Sequence, residues 1–247
     1  MMDRGTWWYR FICDATRTLV FRPFGGLRAI HPEKIPDDGP LIFAPTHMSN
    51  FDPPACACCQ PRCLTFMAKR ELFKVPVIGP IIRSVGAFPV RRGENDSEAI
   101  RLAIRLLEEG RAVLVFPEGT RGDGTHMGPI SSGLAMLAKR TNARILPIAM
   151  IGSHITLPKG RSWPRRHRID IVFGDSFTFD EVAGEGNERL KRVRFVNELA
   201  KRLADLSAAH GQPLIIAESN RTTPDSGSAE TESGTSAPAS PETQSQP

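Results

Sequence analysis

What the 247-residue chain lacks narrows it first. No run reaches the ~18 uncharged apolar residues that a membrane span needs. The longest candidate, residues 145–158, is broken by Pro147, Gly152 and Pro158. The opening MMDRGTWWYRFICD places Asp3, Arg4, Arg10 and Asp14 where a secretory leader needs an apolar stretch, so a cytoplasmic setting is expected. Cysteine is scarce, odd in number at five, and four of the five crowd into residues 56–63, a poor disulfide framework. There is one tyrosine and no RNP-like aromatic run, which argues against an RNA-binding sheet. No GKS or GKT follows the glycine-rich stretch, and no G-x-S-x-G elbow is present, so neither a Walker loop nor a nucleophilic serine is expected.

What is present is basic. Residues 219–247 hold one base, Arg221, against four acids and almost nothing apolar, and are expected to be a disordered tail. The remaining 31 bases against 23 acids give residues 1–218 a net charge of +8, suited to anionic partners such as lipid surfaces or phosphorylated substrates. Within this body apolar runs alternate with helical periodicity. Strands are expected at 41–44, 87–90, 112–116, 144–151 and 168–173, and helices at 95–109, 131–140 and 187–208. That alternation predicts an α/β fold, a central and mainly parallel sheet flanked by helices. Residues 6–22 read as an amphipathic helix, with Trp7, Trp8, Phe11, Ile12, Ala15 and Leu19 on one arc and Arg10, Arg17 and Arg22 opposite. Such a helix suits a membrane interface or docking on the body's own core. The expected organisation is an interfacial segment at 1–30, a catalytic domain at 31–218 and the tail.

Candidate chemistry gathers at strand ends, where α/β sheets bind ligands. In THMSNFDPP, His47 and Asp52 are five residues apart. A carboxylate holding one ring nitrogen fixes the tautomer and frees the other nitrogen as a base. Asp52 before Pro53 is equally a natural helix cap. GAFPVRRG offers Arg91 and Arg92, whose planar forks match phosphate, or a solvated charge pair. VFPEGTRGDG runs a buried strand into Glu118, Gly119, Thr120 and Arg121, among glycines that let backbone N–H groups approach an anion. In CACCQPRC, Cys56, Cys59 and Cys63 would share one face of a helix after Asp52, which favours packing over metal binding. His126 and His154 are isolated and read as loop or surface residues, and Trp163 in GRSWPRRHR suits lipid head groups or packing equally.

H-x4-D at 47–52, GAFPVRRG, FPEGTR at 116–121 and LPIAMIG, in this order and spacing, resemble the glycerolipid acyltransferases, and within them the bacterial 1-acylglycerol-3-phosphate acyltransferases. The resemblance runs from about residue 39 to 177 and includes FMAKRELFKVPVIGPIIRSVG, which adds Lys69 as a candidate. It implies acyl transfer from acyl-CoA or acyl carrier protein to a lysophospholipid hydroxyl, in phospholipid biosynthesis. No covalent acyl-enzyme, metal or cofactor is implied. By resemblance His47 is the base and Asp52 its partner. Arg92, with Arg91 beside it, and Glu118, Gly119, Thr120 and Arg121 would hold the acceptor's glycerol phosphate. Where the family often carries Lys before the downstream Gly, Ser132 precedes Gly133 here. The acceptor lives in a bilayer, so a peripheral position on the cytoplasmic face of the membrane is expected. Acylation of another lysophospholipid, glycerol 3-phosphate or an amino-lipid, and a non-catalytic lipid-phosphate-binding module, are the alternatives.

Overall fold

The computed structural model describes residues 4–90 and 97–220. Arg91, Arg92 and residues 221–247 lie outside the described residues. Seven strands form the central sheet in the order β1-β8-β7-β2-β5-β3-β4. They are β1 (Leu27–Ile30), β2 (Leu41–Pro45), β3 (Leu64–Lys69), β4 (Ala87–Val90), β5 (Ala112–Leu114), β7 (Arg144–Ile151) and β8 (Ile169–Phe173). All neighbours pair in parallel except β7 with β8. The loops after β2, β5 and β7 therefore leave one edge of the sheet, and the turn into β8 returns there. β6 (His126–Met127) and β9 (Ile215–Ile216) form a small parallel ribbon beside it.

Alternation along the strands fills two cores. Ile42, Ala44 and Ile145 face α4 (Ser97–Glu108), α5 (Ser132–Thr141) and α8 (Glu188–Ala209). Leu41, Phe43, Leu146 and Ile148 face α1 (Arg4–Thr16) and α2 (Asp52–Cys58). Short helices α3 (Ile78–Ser84), α6 (Ser153–Thr156) and α7 (Phe179–Ala183) complete the chain. The local signals are visible where helices begin and end. Ser131 caps α5 by accepting from the Gly133 N–H, Asn142 ends it in a left-handed conformation, and Asn187 caps α8 through the Leu190 N–H.

Several expectations need correcting. The segment 1–30 is not separate from the domain, because residues 27–30 pair with β8 inside the main sheet. The first helix ends at Thr16, and a π-helical turn, Arg17–Phe21, follows. That turn rotates Phe21 into the core while Leu19 stays 73% exposed. The helix docks on the body's own core through one face and leaves an apolar face exposed. Tyr9 is buried and its hydroxyl accepts the Leu64 N–H at 3.2 Å, while Trp7, Trp8 and Phe11 stack together on the outside. Helix α2 stops at Cys58, so Cys63 is not on its face; Cys56 and Cys59 are buried, and burial pushes both thiols up. At the other end the folded body reaches past residue 218. Asn220 is buried and clasps Ile130 and Gly128, each at 2.9 Å.

Candidate active site

The end of β2 delivers Thr46 and His47 to the sheet edge, and the chain turns at once into α2. Asp52 is the first residue of that helix, followed by Pro53 and Pro54, which suit the first turn because they have no N–H to satisfy. Its side chain does not cap its own helix. It folds back over the preceding loop, where Oδ2 accepts the Met48 N–H at 2.6 Å, the Ser49 N–H at 2.7 Å and His47 Nδ1 at 3.0 Å. Asp52 is fully buried, and its Oδ1 has no partner among the described residues. A carboxylate can only accept here, so Nδ1 carries the proton, and in the neutral ring the Nε2 lone pair is the free one. The imidazole stacks on Phe116 with ring centroids 3.9 Å apart, which fixes its plane.

The loop after β5 locks onto the same residue. Glu118 accepts the His47 N–H with Oε1 at 3.1 Å and the Gly128 N–H with Oε2 at 2.8 Å. The His47 carbonyl in turn accepts the Gly122 N–H at 2.7 Å. Burial pushes the Glu118 carboxyl above its usual range, against the two backbone N–H groups that pull it down. Gly122 has a packing reason, since a side chain there would lie 2.9 Å from the His126 carbonyl oxygen. Both carboxylate oxygens of Glu118 are thus taken by main chain, and the residue clamps the His47 loop.

Beside this clamp lies a cavity of about 630 Å³. Glu118, Thr120 and Arg121 line it, and so do Met48, His126, His154 and Lys159; His47, Gly119 and Lys69 do not. Lys159 Nζ reaches the Arg121 carbonyl at 3.4 Å, so two cations stand at one wall. Asp123 is held well below the usual carboxylate range by the Thr125 and His126 N–H groups and adds a negative charge. Burial and nearby His167 lower His154, which favours its neutral form. Ile215 and Ile216 of β9 close the opposite wall. Lys69 is exposed at the end of β3, two strands away from β2.

Sequence reasoning missed three parts of this wall. His126 and His154 had no spacing partner to mark them, and Lys159 hid in a long basic stretch. The β9 wall had only the short apolar run PLIIA as a signal. Among the described residues no cluster of His, Cys, Asp or Glu could hold a metal ion, and no helix is long and apolar enough to cross a membrane.

The chain is similar to the 1-acyl-sn-glycerol-3-phosphate acyltransferase of Streptococcus pneumoniae, 30% identical over 75% of this chain and 68% of that protein. The Bacillus subtilis protein of the same name is 28% identical over 68% of this chain and 81% of its own length. The lyso-ornithine lipid O-acyltransferase of Pseudomonas aeruginosa is 33% identical, over 45% of this chain and 43% of that one. Among solved structures, the 1-acyl-sn-glycerophosphate (LPA) acyltransferase PlsC from Thermotoga maritima superposes with a TM-score of 0.68 at 24% identity, covering 85% of this chain and 84% of that one. The acyltransferase family model matches residues 27–151, from the first strand of the sheet to the last residue of β7. That match takes in the His47 loop, its Glu118 clamp and more than half of the sequence, and the chain belongs to the acyltransferase family.

Proposed function

We propose that this protein transfers a fatty acyl group from acyl-CoA or acyl carrier protein to the sn-2 hydroxyl of 1-acylglycerol 3-phosphate, giving phosphatidate. The observation that carries this reading is the buried His47–Asp52 pair set beside a cavity walled by Arg121 and Lys159. A hydroxyl is a poor nucleophile near neutral pH until a base removes its proton during attack. In this reading His47 Nε2 takes that proton as the oxygen adds to the thioester carbonyl. The tetrahedral oxyanion collapses, the C–S bond breaks, and the departing thiolate takes the proton back from His47. Asp52 stabilises the imidazolium between those two steps. Arg121 and Lys159 hold the acceptor's phosphate, with Thr120 and the Gly119 turn beside them, so one end of the acceptor is anchored while the other reacts. Glu118 keeps the His47 loop in place. Arg91 and Arg92 follow β4, which ends at the same edge of the sheet, and join the phosphate site in this reading.

The same reading makes the protein a peripheral enzyme of the cytoplasmic membrane face. Trp7, Trp8 and Phe11 of α1, Val77 just before α3, and Ile78 and Ile81 of α3 are exposed apolar side chains, and the Trp8 ring N–H donates to Ser84 Oγ at the end of α3 at 2.9 Å. Aromatic residues at such a surface settle at head-group depth. A second acceptor class, an amino-lipid, draws support from the likeness to the lyso-ornithine lipid enzyme. The deciding experiment supplies purified protein with lysophosphatidate and lyso-ornithine lipid together, with acyl-CoA and acyl carrier protein as donors in turn, and reads products by mass spectrometry. Phosphatidate as the main product supports the first reading. Acylated ornithine lipid alone moves the assignment to the second. No product from any pair leaves a non-catalytic lipid-binding module.

A further inference from the structure

Residues 158–168, PKGRSWPRRHR, join α6 to β8 and contain Lys159, Arg161, Arg165, Arg166 and Arg168 with no acid. Arg168 pairs with Asp170 at 2.8 Å, whereas no carboxylate of the described residues pairs with Arg161, Arg165 or Arg166. Trp163, between them, is 83% exposed, the most exposed large apolar side chain among the described residues. Nothing in the chemistry at His47 uses Arg161, Trp163, Arg165 or Arg166.

The segment is pinned at its base. The Arg165 N–H donates to the Thr156 carbonyl at 2.7 Å, Thr156 Oγ1 to the His167 carbonyl at 2.9 Å, and the Arg161 N–H closes a turn on Pro158 at 3.1 Å. The tip therefore projects from a closed neck. That neck leaves β7 at the edge of the sheet that carries His47, and it touches the site twice. Ser49 Oγ donates to the Leu157 carbonyl at 2.9 Å, and Lys159 Nζ reaches the Arg121 carbonyl. On its far side the His167 N–H donates to the Phe24 carbonyl at 2.8 Å, in the turn after α1, close in sequence to exposed Leu19 and Val20.

We propose that this loop is a second membrane contact, binding the anionic head groups of phospholipids and turning the active-site edge of the sheet toward the bilayer. The inference rests on the membrane reading given above and extends it from the α1–α3 surface to the rim of the site. Arg forks pair with phosphodiester oxygens two at a time, and a Trp among cations sits at head-group level. A docked acidic protein would also attract the arginines. Yet Trp163 stands amid charges without the apolar surround that excludes water from a protein–protein hot spot, and a lipid interface does not require one. Because the neck bonds to Ser49 and Arg121, a lipid-bound tip holds the acceptor's entry point at the height of its phosphate.

The test isolates Trp163, one of three tryptophans in the chain. The variant Trp7→Phe with Trp8→Phe leaves it as the single emitter and keeps the α1 surface apolar. The expected result is a blue shift of its emission, and quenching by brominated acyl chains, with vesicles of phosphatidylcholine plus phosphatidylglycerol and not with phosphatidylcholine alone. Arg161→Gln, Arg165→Gln and Arg166→Gln together should weaken vesicle partition about tenfold or more, each cation near an anionic surface being worth a factor of about five. Activity on a short-chain, water-soluble acceptor should be unchanged, which also shows that the variant is folded. Co-sedimentation with anionic vesicles while Trp163 emission stays fixed would overturn the loop's role and leave the α1–α3 surface as the membrane contact. A Trp163 shift produced by acyl carrier protein without vesicles would overturn it in favour of a protein partner. Failure to sediment with any vesicle would overturn the membrane reading itself.

Discussion

Glu118 holds the backbone of His47 at 3.1 Å through one carboxylate oxygen while the other holds Gly128 at 2.8 Å. This bridge joins the His47 loop to the ribbon of β6 and β9 that walls the cavity. A glutamine has one accepting oxygen and an amide that can only donate, so Glu118→Gln leaves one of the two N–H groups facing another donor. Turnover should fall by about 10–100-fold, with the acceptor's KM changed far less, if the loss is one of positioning at the base. A rise in KM with unchanged turnover would instead place Glu118 in substrate binding.

The same residue sets a pH signature of stability. Burial raises its folded pKa above the ordinary 4.5. An acid with a raised folded pKa destabilises the fold where it is ionised, and that penalty fades as pH falls through the folded pKa toward 4.5. The uncharged Glu118→Gln variant carries no such penalty. Its melting temperature relative to the native protein should therefore be most favourable at neutral pH and least favourable near pH 4.5. A difference that is flat, or that slopes the other way, contradicts the buried and ionised clamp.

Asp52→Asn isolates charge from geometry. The amide oxygen can take over the bonds that Oδ2 makes to Met48, Ser49 and His47, and the amide nitrogen can occupy the place of Oδ1, which no described group contacts. The variant should fold, and circular dichroism checks this. Its turnover should drop by about 10²–10⁴, because the imidazolium loses its counter-charge while the ring keeps its tautomer. Near-native turnover would show that Asp52 serves the loop alone.

Arg121→Ala should raise the acceptor's KM with a smaller effect on the donor's, and Arg121→Lys should recover little because the planar fork is lost. Lys159→Ala should act in the same direction and more weakly. A donor KM that rises alone would transfer these cations to the coenzyme or carrier phosphates.

At the C-terminus, shortening the chain after Asn220 should leave melting temperature and specific activity intact. Asn220→Ala removes two buried hydrogen bonds and should cost about 1–3 kcal/mol. For a chain of this size that is about 2–4 °C in melting temperature per kcal/mol. An Asn220→Ala variant that melts like the native protein would mean that the clasp on Gly128 and Ile130 contributes nothing.

How much of this could be read from the residues follows from how local each signal is. His47 and Asp52 were legible because five residues and one turn bring them together, and FPEGTR because a buried strand ends there. The parallel sheet was legible from alternation. The wall of Ile215 and Ile216 was not, since β6 and β9 are two residues each and pair across a long stretch of sequence. The helix at 187–208 was legible from its period, but its buried side, Phe195, Leu199, Ala200, Leu203, Ala204 and Ser207, is only in part a stripe of large apolar residues. Alanines carry too little apolar area to announce a face, but their small size lets a helix approach closely. The end of α1 was misread because the apolar period continues past Thr16, while the π-helical turn changes which side faces inward. Glu118 stood in a motif that implied a phosphate ligand; only the fold shows both its oxygens committed to backbone.

The most direct test of the central claim compares native protein and His47→Ala on anionic vesicles carrying lysophosphatidate, with acyl-CoA and acyl carrier protein as separate donors and phosphatidate measured by mass spectrometry. Phosphatidate is expected from the native protein with at least one donor, and a rate lower by about 10²–10⁴ in a folded His47→Ala variant. Equal rates from the two proteins, or no phosphatidate from the native one, would contradict that claim.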